Sequence, residues 1–198
     1  MGFLNEIGSA IFNFVSGGIA EIVETSVKLL RVVAEVIEGL AKKLGIIESE
    51  EETEDIGDRA LQAEADGYKL EDFDNYDEYM KFLRNFELDP EKSKKIEEDE
   101  KLAKGLDVIT KKIEDQFDLK MDKFLVEVAK NIEFYNPKRI ETYLEKFSES
   151  GLDLNDIIDT GKDFDKDIKV DQVRVEVEQQ LNPNMSKGEI IDMLLEEK

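Results

Sequence analysis

With 198 residues, 27 Lys/Arg against 49 Asp/Glu and a net charge of −22, the chain is long enough for one or two domains. It is too acidic to grip a phosphate backbone or an anionic lipid surface. It contains no histidine and no cysteine, which removes serine–histidine triads, zinc–thiolate centres, Glu-x-x-His di-iron sites and disulfides.

The charge is unevenly spread. Residues 1–47 hold four Lys/Arg and five Asp/Glu, a net −1, which leaves −21 for the remainder. In chain order, Phe3 to Val15 places Leu4, Ile7, Ile11 and Phe14 at 3/4/3 spacing, the pattern of an amphipathic helix. Ser16 follows, and Gly17 and Gly18 form the expected hinge. From Ile19 to Leu44 the charged residues Glu21, Glu24, Lys28, Arg31, Glu35, Glu38 and Lys42 recur at alternating intervals of 3 and 4. On a helix they make one narrow polar stripe, with Glu24–Lys28 and Glu38–Lys42 as favourable i, i+4 pairs. Almost everything else is apolar: Ile22, Val23, Val27, Leu29, Leu30, Val32, Val33, Val36, Ile37 and Leu40. A surface helix buries about 100° of its circumference, and this one asks for more than twice that. It needs neighbours on several sides.

The longest uncharged run, Ile7 to Ala20, is fourteen residues, short of the roughly 20 that cross a bilayer. The candidate neighbours are then the rest of this chain, copies of the same helix, and lipid or another protein. The following ESEEETED, residues 48–55, reads as a solvated acidic linker. The expected organisation is therefore an apolar segment 1–47, a linker 48–56 and an acidic helical domain 57–198. The start of the chain is not basic, so export through a signal peptide is not expected; a cytoplasmic or particle-associated protein is.

In the body, Asn75 to Phe86 reads as a helix with Tyr76, Tyr79, Leu83 and Phe86 on one face. Asp89-Pro90 is a cap-plus-proline start for a charged helix, and Leu102, Leu106, Ile109 and Ile113 make a further helical stripe. Asp118 is read as the cap of a helix carrying Met121, Phe124, Leu125, Val128 and Ile132. Asn136-Pro137 opens a helix with Ile140, Tyr143, Leu144 and Phe147 that ends near Gly151, and 154–159 reads as a short one. Residues 171–181 alternate like a strand yet carry the helical stripe Val170, Val173, Val177 and Leu181; with Asp171 as cap and no second strand to pair with, helix is preferred. Ser186 and Glu189 form a capping box before Ile190 to Leu195. The fold class is all-α: an apolar N-terminal helical hairpin or long broken helix, then an acidic body of five to seven helices.

No chemistry stands out. There is no phosphate-cradling glycine motif. Asp163, Asp165 and Asp167 mimic the opening of an EF-hand loop, but Ile168 stands where glycine is required and Arg174 where a bidentate glutamate belongs. Paired carboxylates are uninformative among 49 acidic residues. The aromatic set Phe73, Tyr76, Tyr79, Phe82 and Phe86 reads as core rather than as a ligand platform. No catalytic residue, metal site or cofactor is expected. The expected function is self-association through Leu4, Ile7, Ile11, Phe14, Ile22, Val23, Leu29, Leu30, Val33, Val36, Ile37 and Leu40, giving a homo-oligomer that displays acidic bodies. Insertion of the same segment into a membrane is the alternative, and binding of a basic protein partner by the body is a further one. Direct nucleic-acid binding is not expected. Val33→Asp is expected to abolish association and Lys43→Asp to matter far less.

Overall fold

The computed structural model describes residues 19–160 and 167–196, with side-chain surroundings for 27–158 and 167–196. Among the described residues the chain is all-α, with ten α-helices, one 3-10 turn and no strand. It divides between Gln116 and Phe117 into two compact units.

The first unit holds α1 (Ile19–Lys43), α2 (Thr53–Ala65), the turn Leu70–Asp72, α3 (Tyr76–Asn85), α4 (Pro90–Ser93) and α5 (Glu98–Phe117), whose last residue opens the second unit. Helix α1 stops at Gly45, whose φ of +70° suits a residue without Cβ. Ile46 N–H donates to Ala41 C=O at 2.9 Å and Gly45 N–H to Lys42 C=O at 3.2 Å. This closing turn drives Ile46 and Ile47 into the core.

The stretch read as a linker behaves differently. Arg84 of α3 clamps the Glu51 carboxylate through Nε and Nη2, both at 3.0 Å, and donates to Ile46 C=O at 2.9 Å. Thr53 and Ile56 are buried in the first turn of α2. Acidic residues fit that turn, because Glu54 and Asp55 meet the positive end of the helix dipole. The compact units do not part there.

Helix α3 is capped by Asn75, whose Oδ1 accepts from Glu78 N–H at 3.0 Å. Asp89 caps α4, accepting from Glu91 N–H at 2.8 Å, but that helix lasts one turn: its end packs on α2, where Ser93 meets Asp58, and the chain restarts at Glu98. The core gathers Ile37 and Leu40 of α1, Ile56 of α2, Tyr79 and Leu83 of α3, and Leu106, Ile109 and Ile113 of α5.

The second unit holds α6 (Asp122–Lys130), α7 (Pro137–Ser150), α8 (Asn155–Thr160), α9 (Ile168–Leu181) and α10 (Lys187–Glu196). Asp118 does not cap α6. It sits at φ +51° before the helix begins, and the cap comes instead from Asn155 of α8, whose Oδ1 accepts from Lys123 N–H at 2.9 Å and Phe124 N–H at 3.2 Å. Asn136 caps α7 and Gly151 ends it in the left-handed region, as the residues imply.

Residues 171–181 are helical, but the cap is Asp167, accepting from Lys169 N–H at 2.9 Å, while Asp171 lies inside the helix. The strand-like alternation has a cause: α9 is covered on two sides. It packs on α7, α8 and α10; Val170, Val173 and Val177 are buried, and so is Val175, which clusters with Ile190 and Leu194 of α10. The capping box holds, with Ser186 N–H donating to Glu189 at 2.7 Å. Nine helices follow α1 among the described residues, rather than five to seven; α2 was hidden in the acidic run, whereas the short α4 and α8, four and six residues long, lie where the residues imply them.

Candidate functional site

The residues expected to form the contact are distributed along α1 and before it. Leu4, Ile7, Ile11, Phe14, Gly17 and Gly18 lie outside the described residues. Ile22 and Val23 fall on α1, outside the described side-chain surroundings. Val33, Ile37 and Leu40 are 4%, 0% and 0% exposed within the first unit, so their covering neighbour is this chain itself. Leu29, Leu30 and Val36 are half-buried. Leu29, Val32 and Val36, at i, i+3 and i+7, form a half-buried apolar flank between the buried face and the charged stripe. Val33→Asp therefore strikes the core of the unit, and a test of association belongs on this flank.

The charged stripe holds α1 in place. Glu38 accepts from Thr53 N–H at 3.0 Å and Thr53 Oγ1 at 2.8 Å, capping α2 from fifteen residues upstream, and from Lys42 Nζ at 2.8 Å. Arg31 reaches Asp99 at 2.9 Å, with Glu98 at 3.6 Å and Glu54 at 3.7 Å. Burial pushes the Glu38 carboxyl up, but the donors Lys42 and Thr53 outweigh it and hold the carboxyl below its ordinary value.

A second polar group ties α2, α4 and α5 together. Asp58 accepts from Lys101 Nζ at 2.8 Å and Gln62 Nε2 at 2.8 Å, and also meets Ser93 Oγ. Gln62 in turn accepts from Asp89 N–H at 2.9 Å. Lys101 donates to Ser93 Oγ at 3.0 Å. Ser93 Oγ thus donates to Asp58 and accepts from Lys101, and the three side chains hold α2, α4 and α5 together. Burial pushes Asp58 up, and its three donors more than offset that and lower its pKa.

These shifts set an acid limit on the first unit. Glu38 and Asp58 titrate lower when folded, so their stabilisation is complete above about pH 4.5 and is lost as pH falls through the folded values. Glu54 has the opposite sign: burial, with the charges of Glu52, Glu98 and Glu38, outweighs Arg31 and raises its pKa, so its protonation on acidification relieves a cost. Glu51, whose burial is outweighed by its donor Arg84, is lowered like Glu38 and Asp58, so three carboxylates of the first unit share the sign that Glu54 opposes. The urea midpoint followed by circular dichroism is expected to fall below about pH 4.5, and Asp58→Asn to flatten that slope. A midpoint unchanged down to pH 3 contradicts both assignments.

The first unit also contains a cleft of about 230 Å³ lined by Glu64, Tyr76, Tyr79, Lys104, Asp107 and Lys111, among others. Burial, followed by the nearby carboxylates, pushes the Tyr76 hydroxyl up to about 12, so it is a donor and not a base near neutrality. Lys104 pairs with Glu64 and lies 4.0 Å from Asp107, and Lys111 lies 3.3 Å from Asp107. The charges cancel within the wall. Among the described residues no cluster of acidic side chains is arranged to hold a metal ion.

Sequence reasoning found none of the cross-helix ties, since their members are scattered from Arg31 to Lys101. The aromatic set was also only partly right. Tyr79 is buried, whereas Phe73, Tyr76, Phe82 and Phe86 remain half-buried. No protein-family model, no curated protein and no solved structure matches this chain.

Proposed function

We propose that this protein is a non-enzymatic helical assembly protein, in which the half-buried flank of α1 and the apolar residues preceding it make contact with further copies of the chain. The observation that carries this reading is the partial coverage of α1. The first unit buries Val33, Ile37 and Leu40 but leaves Leu29, Val32 and Val36 half-covered. The C-terminal half of α1 thus packs into the first unit, and the residues that precede it in the sequence are largely apolar and nearly neutral.

Charge favours copies of the chain as the occupant. Residues 1–47 are nearly neutral and the remainder carries −21, so copies meet with least repulsion through this segment. Interfacial membrane helices carry a Lys/Arg-rich polar face, whereas the stripe here is balanced. No helix among the described residues is long and apolar enough to cross a membrane.

Sedimentation velocity over a concentration series tests the reading. The full chain is expected to associate, and more strongly in high salt, because screening removes repulsion between acidic bodies. Val32→Asp with Val36→Asp is expected to weaken association at least tenfold, about 1.4 kcal/mol, with a thermal midpoint close to that of the parent. A chain that is monomeric in water and changes state only with neutral liposomes overturns the assembly reading in favour of membrane insertion.

A further inference from the structure

Helix α3 shows an aromatic surface that the core does not absorb. Tyr79, Met80 and Leu83 point inward and are buried. Phe82 and Phe86, one turn apart, lie at the edge of that face and are half-buried. The turn before the helix adds two rings, Tyr68, which is 48% exposed, and Phe73, half-buried. Phe82 is the centre of the row: its ring centroid lies 5.1 Å from Tyr68, 5.0 Å from Phe73 and 5.8 Å from Phe86. Phe73 also meets Tyr79 at 5.2 Å, which ties the ridge to the buried core and fixes its shape. Half-exposed aromatic rings that are packed on one another and held by the fold are the kind of surface that supplies anchors for a partner.

The rim is acidic and in part unneutralised. Glu78 lies on the face of Phe82, one turn earlier, Asp74 follows Phe73 and Glu87 follows Phe86. None of these three makes an ion pair among the described residues. Of the neighbouring cations, Arg84 is already committed to Glu51, and the exposed Lys81 beside Phe82 leaves the three carboxylates in excess. We propose that this ridge is a docking surface for a basic amphipathic polypeptide segment, its apolar side chains on Phe82 and Phe86 and its Lys or Arg side chains over the flanking carboxylates and ring faces. Complementary charge selects that occupant. A second copy of this chain brings carboxylates to a carboxylate rim, and nucleic acid brings phosphates to it. The net charge of −22 speeds encounter with a cationic segment and repels both alternatives. The ridge is carried by α3 and the turn before it rather than by α1, and the two contacts respond to salt in opposite directions.

The test uses the intact chain and a labelled synthetic amphipathic helical peptide with one leucine face and one lysine face, read by fluorescence anisotropy. Binding is expected to weaken about tenfold in Phe82→Ser and severalfold in Glu78→Lys. It is expected to weaken steeply between low salt and about 300 mM, and to vanish for a peptide with glutamate in place of lysine. Tyr68→Ser, at the most exposed ring, weakens binding too and guards against misfolding, since its thermal melt should match the parent. If Phe82→Ser and Tyr68→Ser, both folded, bind the peptide as the parent does, the attraction is general charge and the docking surface is refuted. If instead those variants reduce self-association in sedimentation, the ridge is a contact between copies and the proposal fails.

Discussion

Replacing Gly57 by alanine is expected to lower the stability of the first unit by about 3 kcal/mol or more, although alanine is the better helix former by about 1 kcal/mol. Gly57 on α2 faces α5 so closely that a Cβ would lie inside the van der Waals envelope of the Lys101 carbonyl oxygen and 2.7 Å from Gly105 N. Gly105 faces back onto α2, where its Cβ would overlap the Thr53 carbonyl oxygen and stand 2.8 Å from the Thr53 carbonyl carbon. The obstructing atoms are backbone, so no side-chain rotation relieves the clash. The two helices must separate, and the packing of the buried residues beside the two glycines, Ile56 and Ala60 on α2 and Leu102 and Leu106 on α5, loosens with them. Packed helix axes are usually 8–10 Å apart, and a glycine-on-glycine crossing brings them nearer. Gly105→Ala is expected to cost a similar amount. The double variant should cost much less than the sum, because once the helices have parted the second methyl group finds room. Gly188→Ala on α10 is the control: no atom lies within 4 Å of its Cβ position, so its urea midpoint should stay within about 0.5 kcal/mol of the parent. A Gly57→Ala protein as stable as Gly188→Ala contradicts the packing of α2 on α5.

The same crossing shows why some of the fold was legible in the residues and some was not. Asn75, Asn136-Pro137 and the Ser186–Glu189 pair act within four residues of themselves, and the helices they start are where the pattern puts them. Helix α2 was invisible because its cap is Glu38, on another helix, and its first turn is hidden in an acidic run that looks like a linker. Asp118 misled for the same reason, since the group that caps α6 is Asn155. Periodicity measured how much of α1 had to be covered, and this chain was one of three possible covers. Only the fold shows that it covers Val33, Ile37 and Leu40 while leaving Leu29, Val32 and Val36 half-exposed. The acidic composition concealed a further feature: a glutamate that is not on the surface at all.

Arg139→Ala is expected to destabilise the second unit by about 3–5 kcal/mol, because it strands the charge of Glu178. Glu178 on α9 is 0% exposed. Its two carboxylate oxygens accept from Arg139 Nε at 3.0 Å and Nη2 at 2.9 Å, and Asn182 Nδ2 donates to Oε2 at 3.2 Å. Arg139 is itself held, with Nη1 donating to Phe134 C=O at 2.6 Å and the guanidinium 3.8 Å from the centre of the Phe134 ring. The fork therefore fastens α7 to α9 and the Phe134 turn to both. Arg139→Lys keeps the charge but cannot reproduce the paired donors, so about half of the loss is expected. The decisive comparison is Arg139→Met with Glu178→Leu. A buried ion pair exchanged for apolar groups of similar volume is commonly neutral or stabilising, since neither charge then has to leave water. If the double variant regains the parent's urea midpoint while Arg139→Ala does not, the loss belongs to an uncompensated charge. If the double variant is as unstable as the single one, the salt bridge is not the cause, and Arg139 stabilises the unit through its packing on Phe134 and its bond to the Phe134 carbonyl.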